Sequence, residues 1–193
     1  QQLRVLSVGE QESETTWAPW VEQVAIQVAP CPLGESTADW ERLKDALTAA
    51  TGRTGWEPDV ALCSALGDLL KESGGKLWAV VDHSRILALR REEAPFYMAA
   101  FDVGTTSIAG YLLRGDRNET AAKAGALNPQ AQYGADVIMR ANYALKQGCD
   151  VLAGCVREAV DQLIGRLCEE AGVRREDVFA VSLVGNTCMH HLF

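Results

Sequence analysis

Several features that would place a chain in a special class are missing from this 193-residue sequence. No uncharged apolar run reaches about 18 residues, which excludes a membrane-spanning helix. No basic segment followed by an apolar stretch and a small-residue cleavage site opens the chain, so no export signal is visible. We therefore expect a soluble, cytoplasmic protein that does not act at a membrane.

Positive charge is also scarce. The chain has 18 Lys and Arg against 26 Asp and Glu, which gives a formal net charge of −8. Binding to a nucleic-acid backbone needs a surplus of cations, so this balance argues against a nucleic-acid partner. Hydrophobic residues make up 48% of the chain, enough for a packed core. At about 150 residues per domain, the length predicts one to two domains.

The six cysteines show no metal-binding spacing. No two of them form a C-x-x-C pair, and no zinc or iron–sulfur pattern is present. In a reducing compartment we expect them to be buried or half-buried thiols. Cys188 and His190 could offer two metal ligands, but no third ligand is identifiable.

Both ends of the sequence suggest a fragment. The chain begins at Gln1 without an initiator Met, and it stops on an apolar segment ending at Phe193. Because the last carbonyl groups of that segment would lack partners, we expect further chain beyond it. An activity could therefore need residues that are absent here.

Breaks and periodicity divide the chain into three parts. Residues 1–20 are polar and irregular, residues 21–95 predict a β-α-α-β-β unit, and residues 96–193 predict β-β-β-α-α-β with the start of another helix. A charged, proline-containing stretch at 90–95 separates the last two parts. Two local expectations are capping of the first helix by Ser36 or Thr37, and burial of an apolar face on the helix near 134–147. That face comprises Val137, Ile138, Ala141 and Leu145.

The segment Asp102-Val103-Gly104-Thr105-Thr106 carries the strongest chemical signal. A carboxylate near the end of a buried strand is followed by a glycine and two hydroxyls. With a positive φ, Gly104 would bring bare N–H groups close to a phosphate. The hydroxyls of Thr105 and Thr106 can bind phosphate oxygens, and Asp102 can hold Mg²⁺ through water. The alternative is an ordinary hairpin turn, in which Asp and Gly are common.

Other polar positions have two interpretations each. Gly185 and Asn186 follow a strand, where ligands bind in α/β sheets, so they are second-rank ligand candidates. Asn128 can form a local Asx turn or contact a ligand. Asp136 can cap a helix or contact Mg²⁺ or a partner. His190 and His191 cannot both face one direction on a helix, so we expect one of them to pack inside.

The order of elements resembles the opening of an actin-like ATPase half-domain, a fold shared with acetate and sugar kinases and chaperone ATPases. Three motifs make the resemblance more specific, because together they look like the reductive activators of corrinoid proteins. They are Asn128-Pro129-Gln130, Tyr133-Gly134-Ala135-Asp136-Val137, and Val184-Gly185-Asn186-Thr187 with Met189-His190-His191-Leu192. The resemblance implies an α/β fold with an α+β middle domain. It labels 1–20 as a linker, 21–95 as the middle domain, and 96–193 as the truncated first part of the ATPase domain.

The resemblance also implies a function. Such a protein uses ATP and Mg²⁺ to reduce the Co(II) corrinoid of a partner protein or methyltransferase subunit to Co(I), with electrons from a [2Fe–2S] domain. The catalytic and metal residue would be Asp102, and the cofactor-binding residues Gly104, Thr105, Thr106, Gly185 and Asn186. A homodimer is also possible for such a protein.

The chain departs from that pattern in two respects. It has no C-x₄-C-x₂-C cluster motif, and the second phosphate loop and adenosine-binding segment would follow Phe193. We therefore do not expect the fragment to hydrolyse ATP alone. Two other functions stay open: a small-molecule kinase of the same fold with Asn186 near the acceptor, and a non-catalytic dimerisation or docking module.

Overall fold

The structure is a computed structural model that describes residues 18–117 and 119–193. Residues 18–95 form one compact unit, and residues 96–193 belong to a second. Most of the predicted linker at 1–20 lies outside the described residues.

The first unit is a three-stranded antiparallel sheet with two helices, in the predicted order. Its elements are β1 (Val21–Gln27), α1 (Asp39–Thr51), α2 (Val60–Ser73), β2 (Lys76–Asp82) and β3 (Arg85–Arg90). The sheet order is β1-β2-β3. Leu43 and Leu47 of α1 and Leu66 of α2 recur at helical spacing, so one face of each helix packs into a core with Leu77 of β2.

The two helices of this unit begin differently. The cap predicted for α1 is wrong, because its N-cap is Ala38, which makes no side-chain hydrogen bond. Asp39 and Glu41 instead place negative charge in the first turn, where it favours the helix dipole. In α2 the carboxylate of Asp59 accepts a 2.9 Å hydrogen bond from the Leu62 N–H, which satisfies one free donor.

The second unit is a four-stranded mixed sheet with three helices among its described residues. Its elements are β4 (Tyr97–Val103), β5 (Ser107–Arg114), β6 (Glu119–Leu127), a 3₁₀ helix (Pro129–Tyr133), α3 (Val137–Gln147), α4 (Asp150–Ala171), a 3₁₀ helix (Arg175–Asp177), β7 (Val178–Gly185) and α5 (Thr187–His191). The sheet order is β6-β5-β4-β7, in which β7 is parallel to β4 and the other pairs are antiparallel. This mixed α/β topology confirms the predicted fold class and is consistent with part of an actin-like domain.

Helix α4 covers β5 and β6 and supplies much of the second core. Leu152, Val156, Leu163 and their helical neighbours face the sheet. Gly110 on β5 is required by packing, since a Cβ there would lie 2.6 Å from the Phe101 ring. Within the described residues, none of the helices is long and apolar enough to cross a membrane.

The predicted inner face of α3 is confirmed for Val137, which packs against the core, and is wrong for Ile138 and Leu145. Ile138 and Leu145 are 69% and 85% exposed, whereas Arg140 is fully buried. Tyr143 and Ala144 pack against the core instead, so the helix is rotated from the orientation that its apolar residues favour. The polar contacts of Arg140, described below, accompany this orientation.

Candidate functional site

The turn between β4 and β5 presents a free carboxylate. Ala99, Phe101 and Val103 alternate into the core, and Asp102 lies between two of them on the other, exposed face of the strand. Within residues 18–117 and 119–193 its carboxylate has no hydrogen-bond or ion-pair partner. It is therefore available to water and to a hydrated cation.

Gly104 has a different role from the one that we predicted. Its φ lies outside the left-handed region, so the expected positive φ is wrong. Its N–H donates a 2.9 Å hydrogen bond to the Ser107 carbonyl, and a Cβ at this position would lie 2.8 Å from that oxygen. Glycine is therefore needed here for the close approach of two backbone segments.

Two backbone donors of the turn are unengaged. In the described part of the chain, the N–H groups of Thr105 and Thr106 have no acceptor. Thr105 is half-buried, and Thr106 is exposed. Neighbouring N–H groups with nearby hydroxyls are suited to an anion such as phosphate.

The end of β7 lies beside this turn. The parallel register pairs Val103 with Gly185, so the residues that follow each strand come together at one edge of the sheet. The side-chain amide of Asn186 donates to Thr105 Oγ1 at 3.3 Å. Its oxygen accepts a 3.0 Å hydrogen bond from the Met189 N–H and so caps α5. The structure thus brings two separately predicted motifs into contact.

Gly185 is also placed by close packing. A Cβ on it would lie 3.0 Å from the Val103 carbonyl oxygen and 3.3 Å from Met189 Cβ. The glycine lets the chain leave β7 tightly against the end of β4. It therefore helps to place Asn186 near Thr105, although its own contacts are with the protein.

Metal ligation at this edge would depend on few protein groups. In the part of the chain that the structure describes, no cluster of three His, Cys, Asp or Glu side chains could hold a metal ion. In phosphate sites Mg²⁺ commonly uses one or two carboxylates, with waters and phosphate oxygens completing its shell. Asp102 fits the role of one such carboxylate.

Asn128 supports the turn from inside the protein. It is 1% exposed, and its side-chain oxygen accepts a 3.0 Å hydrogen bond from the Gln130 N–H, as an Asx turn requires. Its side-chain amide donates to the Gly104 carbonyl at 2.8 Å. Its backbone N–H donates to the Thr106 carbonyl, also at 2.8 Å. The local turn was foreseeable, but the two contacts with the β4–β5 turn join residues more than 20 positions apart.

Asn128 belongs to a buried group of four residues that we call the Asn128 cluster. Its members are Asn128, Gln130, Arg140 and Met189. Gln130 donates to the carbonyls of Leu152 at 3.1 Å and Leu192 at 2.9 Å. Arg140 donates to the Gly134 carbonyl at 2.9 Å and to Gln130 Oε1 at 3.4 Å. The Met189 sulfur lies 3.6 Å from Asn128 Nδ2 and 3.8 Å from Arg140 Nη1.

Arg140 is a buried cation without an ion-pair partner among the described residues. One of its terminal nitrogens, Nη2, is buried and has no hydrogen-bond partner in the described part of the chain. Burial lowers the pKa of Arg140, while the nearby Cys188, Cys155 and Asp136 act in the opposite direction. An uncompensated buried charge costs several kcal/mol, on the order of the penalty for one desolvated ion. Nothing in the sequence around Arg140 indicated that this side chain is buried.

The remaining candidates have structural roles or lie on the surface. Asp136 caps α3 by accepting a 2.8 Å hydrogen bond from the Met139 N–H, which matches one of its two interpretations. The expectation that one histidine packs inside is wrong, because His190 and His191 are both exposed. Their rings meet edge to face at 5.8 Å. His190 also lines a cavity of about 200 Å³ beside the end of β7.

The fold and this edge of the sheet define a mixed α/β protein with a candidate phosphate-binding turn. Sequence models of one family match nearly the whole chain: the RACo linker region over residues 10–94 and the RACo middle region over residues 97–193. The second match alone spans half of the chain, so the chain belongs to the RACo family of reductive activators of corrinoid proteins.

Two relatives support this assignment. The corrinoid activation enzyme RamQ of Eubacterium limosum is 31% identical over 123 residues, which cover 61% of this chain and 21% of that protein. The solved structure of a reductive activator for a corrinoid, iron–sulfur protein superposes with a TM-score of 0.83 at 24% identity. The match covers 94% of this chain and 30% of the chain in the solved structure. At 24% identity it shows that the two chains share a fold.

The names of the matching regions differ from the labels that we gave above. The linker-region model covers most of the residues that we labelled the middle domain, and the middle-region model covers those that we assigned to the ATPase domain. The chain spans less than a third of the length of either relative.

Proposed function

We propose that this chain is part of an ATP-dependent reductive activator that converts the Co(II) corrinoid of a partner protein to Co(I). Electrons would come from a [2Fe–2S] domain elsewhere in the full-length protein. The observation that carries the proposal is the contact between Asn186 and Thr105, because it joins two predicted ligand-binding motifs beside a free carboxylate. RamQ, the relative described as a corrinoid activation enzyme, supports the choice of partner.

Each residue at the edge of the sheet has a proposed role toward ATP. The unengaged N–H groups and hydroxyls of Thr105 and Thr106 would bind terminal phosphate oxygens. Gly104 and Gly185 allow the close backbone packing that shapes this edge. Asp102 would hold Mg²⁺ through water and so fix the position of the charged phosphates.

Hydrolysis of ATP would supply free energy for an electron transfer that is otherwise uphill. A ligand shifts a conformational equilibrium only by its difference in affinity for the two states. Residues 96–193 would form one wall of the cleft, and residues outside this chain would form the other. Closure of that cleft on ATP would favour the complex with the corrinoid partner, and hydrolysis would release it.

The test uses the full-length protein, its corrinoid partner and an optical assay for Co(I). Asp102→Ala is expected to reduce the ATP-dependent rate of Co(I) formation at least tenfold, because the cation loses its protein anchor. Asp116→Ala is the matched control, since Asp116 is a partly exposed carboxylate in the next turn of the same sheet and pairs with Arg114. Undiminished Co(I) formation by Asp102→Ala would refute the assignment.

A further inference from the structure

Asn128 belongs to a motif whose function the ligand-binding roles above do not explain. We propose that Asn128 is a positioning residue that orients the backbone donors of the β4–β5 turn toward phosphate. The inference rests on the proposed nucleotide site and identifies what holds that site in shape. Asn128 itself is buried and would not touch the nucleotide.

The geometry of the peptide bond supplies the mechanism. In a trans peptide the carbonyl and the following N–H point in opposite directions. Asn128 Nδ2 holds the Gly104 carbonyl at 2.8 Å, so the N–H of Thr105 in the same peptide unit points away from Asn128. That N–H is one of the two unengaged donors of the turn. Asn128 thereby directs a free donor to the side opposite the core.

A second contact keeps the turn from rotating. The backbone N–H of Asn128 donates to the Thr106 carbonyl, so one residue holds carbonyls on both sides of the Thr105–Thr106 peptide. The N–H of Gly104 is fixed as well, because it donates to Ser107. These three hydrogen bonds fix the ends of the turn and leave the N–H groups of Thr105 and Thr106 free.

The rest of the Asn128 cluster keeps the Asn128 side chain in place. The side-chain oxygen of Asn128 accepts a hydrogen bond from the Gln130 N–H, and the side-chain nitrogen also contacts the Met189 sulfur. Gln130 in turn donates to carbonyls at the start of α4 and just after α5. Because the Met189 N–H is capped by Asn186, the cluster is connected to both sides of the candidate site.

The chemistry of the position is specific to asparagine. The side chain must accept from the Gln130 N–H and donate to the Gly104 carbonyl at the same time. Serine can supply the capping acceptor but is too short to reach Gly104 from the same backbone position. An ionised aspartate also caps, but it has no donor for a carbonyl. Asn128→Ser and Asn128→Asp therefore separate capping from positioning.

The experiment measures binding of the Mg²⁺ complex of a non-hydrolysable β,γ-imido ATP analogue to the full-length protein by calorimetric titration. Asn128→Ser is expected to weaken binding of the analogue at least tenfold, and Asn128→Asp is expected to weaken it as well. Hydrogen exchange of the Gly104 N–H, whose bond to the Ser107 carbonyl closes the turn, is expected to accelerate in both variants. A role in stability alone would not produce this local increase.

The control is Asp136→Ala, which removes a helix cap in the same unit without touching the turn. It is expected to lower the melting temperature while leaving affinity within twofold and exchange of the Gly104 N–H unchanged. If it weakens binding as much as Asn128→Ser does, the effect is global and the inference is overturned. If Asn128→Ser does not fold, the analogue affinity and the hydrogen exchange of Asn128→Asp test the inference instead.

The outcomes for the site and for its positioning residue are distinguishable. If Asp102→Ala weakens binding but both Asn128 variants bind within twofold of wild type, the positioning role is wrong and the nucleotide site stands. If the wild-type protein does not bind the analogue, the proposed function fails and the inference fails with it.

Discussion

The two compact units differ in what they bury. Among the described residues of 18–95, the side chains that are buried as a whole are hydrophobic, as in the pairs Leu43 and Leu47 of α1 and Val80 and Val81 of β2, and buried polarity is limited to single atoms such as Gln23 Oε1 and Arg42 Nε. Residues 96–193 bury an apolar core too, but they also bury four polar or charged side chains: Asn128, Gln130, Arg140 and Asp177. Since a buried polar group destabilises a fold unless it is hydrogen-bonded, these positions call for an explanation.

The location of the buried polar groups provides one. Three of the four belong to the Asn128 cluster, next to the turn that presents Asp102. Asp177 is separate, since it precedes β7 and is held by two hydrogen bonds from Arg174. In the second unit buried polarity is therefore concentrated in one hydrogen-bonded cluster, and one of its members, Asn128, holds backbone groups of the candidate turn.

The largest expected effect tests whether the apolar cores are equivalent. Phe101→Ala is expected to lower the free energy of unfolding by about 3–5 kcal/mol and Leu47→Ala by about 2–5 kcal/mol, because each leaves a cavity. Urea titration can follow the unfolding of each unit separately, by Trp signals for the first unit and Tyr signals for the second. All five Trp residues lie within 1–95 and all four Tyr residues lie within 96–193.

The matched controls are exposed leucines, Leu33→Ala for the first unit and Leu145→Ala for the second. Each is expected to change the free energy of unfolding by no more than about 0.5 kcal/mol. A core variant that behaves like its control would show that the side chain is not packed as described.

The next effect tests the polar difference directly. Gln130→Leu keeps a similar volume but removes the donors to Leu152 and Leu192 and a partner of Arg140. We expect it to lower the free energy of unfolding by about 2–3 kcal/mol. The comparison variant in the apolar core, Leu66→Met, is expected to cost less than about 1.5 kcal/mol. Equal losses in urea titration would remove the distinction between the units.

A smaller effect concerns a feature that both units share. Asp59 and Asp136 cap α2 and α3 with hydrogen bonds of 2.9 and 2.8 Å. Asp59→Ala and Asp136→Ala are each expected to cost about 1 kcal/mol in thermal or urea unfolding. The Asn variants retain the accepting oxygen and should behave as wild type. An Asn variant that unfolds as readily as its Ala counterpart would contradict the capping role.

The smallest expected effect depends on pH. The hydrogen bond from Arg114 lowers the pKa of Asp116 below its ordinary value of 3.8. Stabilisation from this pair is therefore present above that value and lost as the pH falls through the lowered pKa. Because the pair is partly exposed, Asp116→Asn is expected to cost less than about 1 kcal/mol at pH 7. In urea titrations the difference from wild type should shrink below about pH 4, as the wild-type carboxylate becomes protonated; a constant difference would contradict the assignment.

Local sequence patterns determined most of the elements of this protein. Breaks and apolar periodicity predicted the order of strands and helices, because these signals depend on neighbours in the chain. The Asp102–Thr106 turn was recognisable for the same reason. Glycine, hydroxyl and carboxylate side chains at adjacent positions are a local feature.

Only the tertiary structure decided what holds that turn. The contacts of Asn128 with Gly104, of Gln130 with Leu192, and of Asn186 with Thr105 join residues that are 24, 62 and 81 positions apart. No local pattern specifies such a pairing. The buried face of α3 was partly mispredicted for a related reason: its sequence shows the apolar residues, but the hydrogen-bond partners of Arg140 become visible only when the chain is folded.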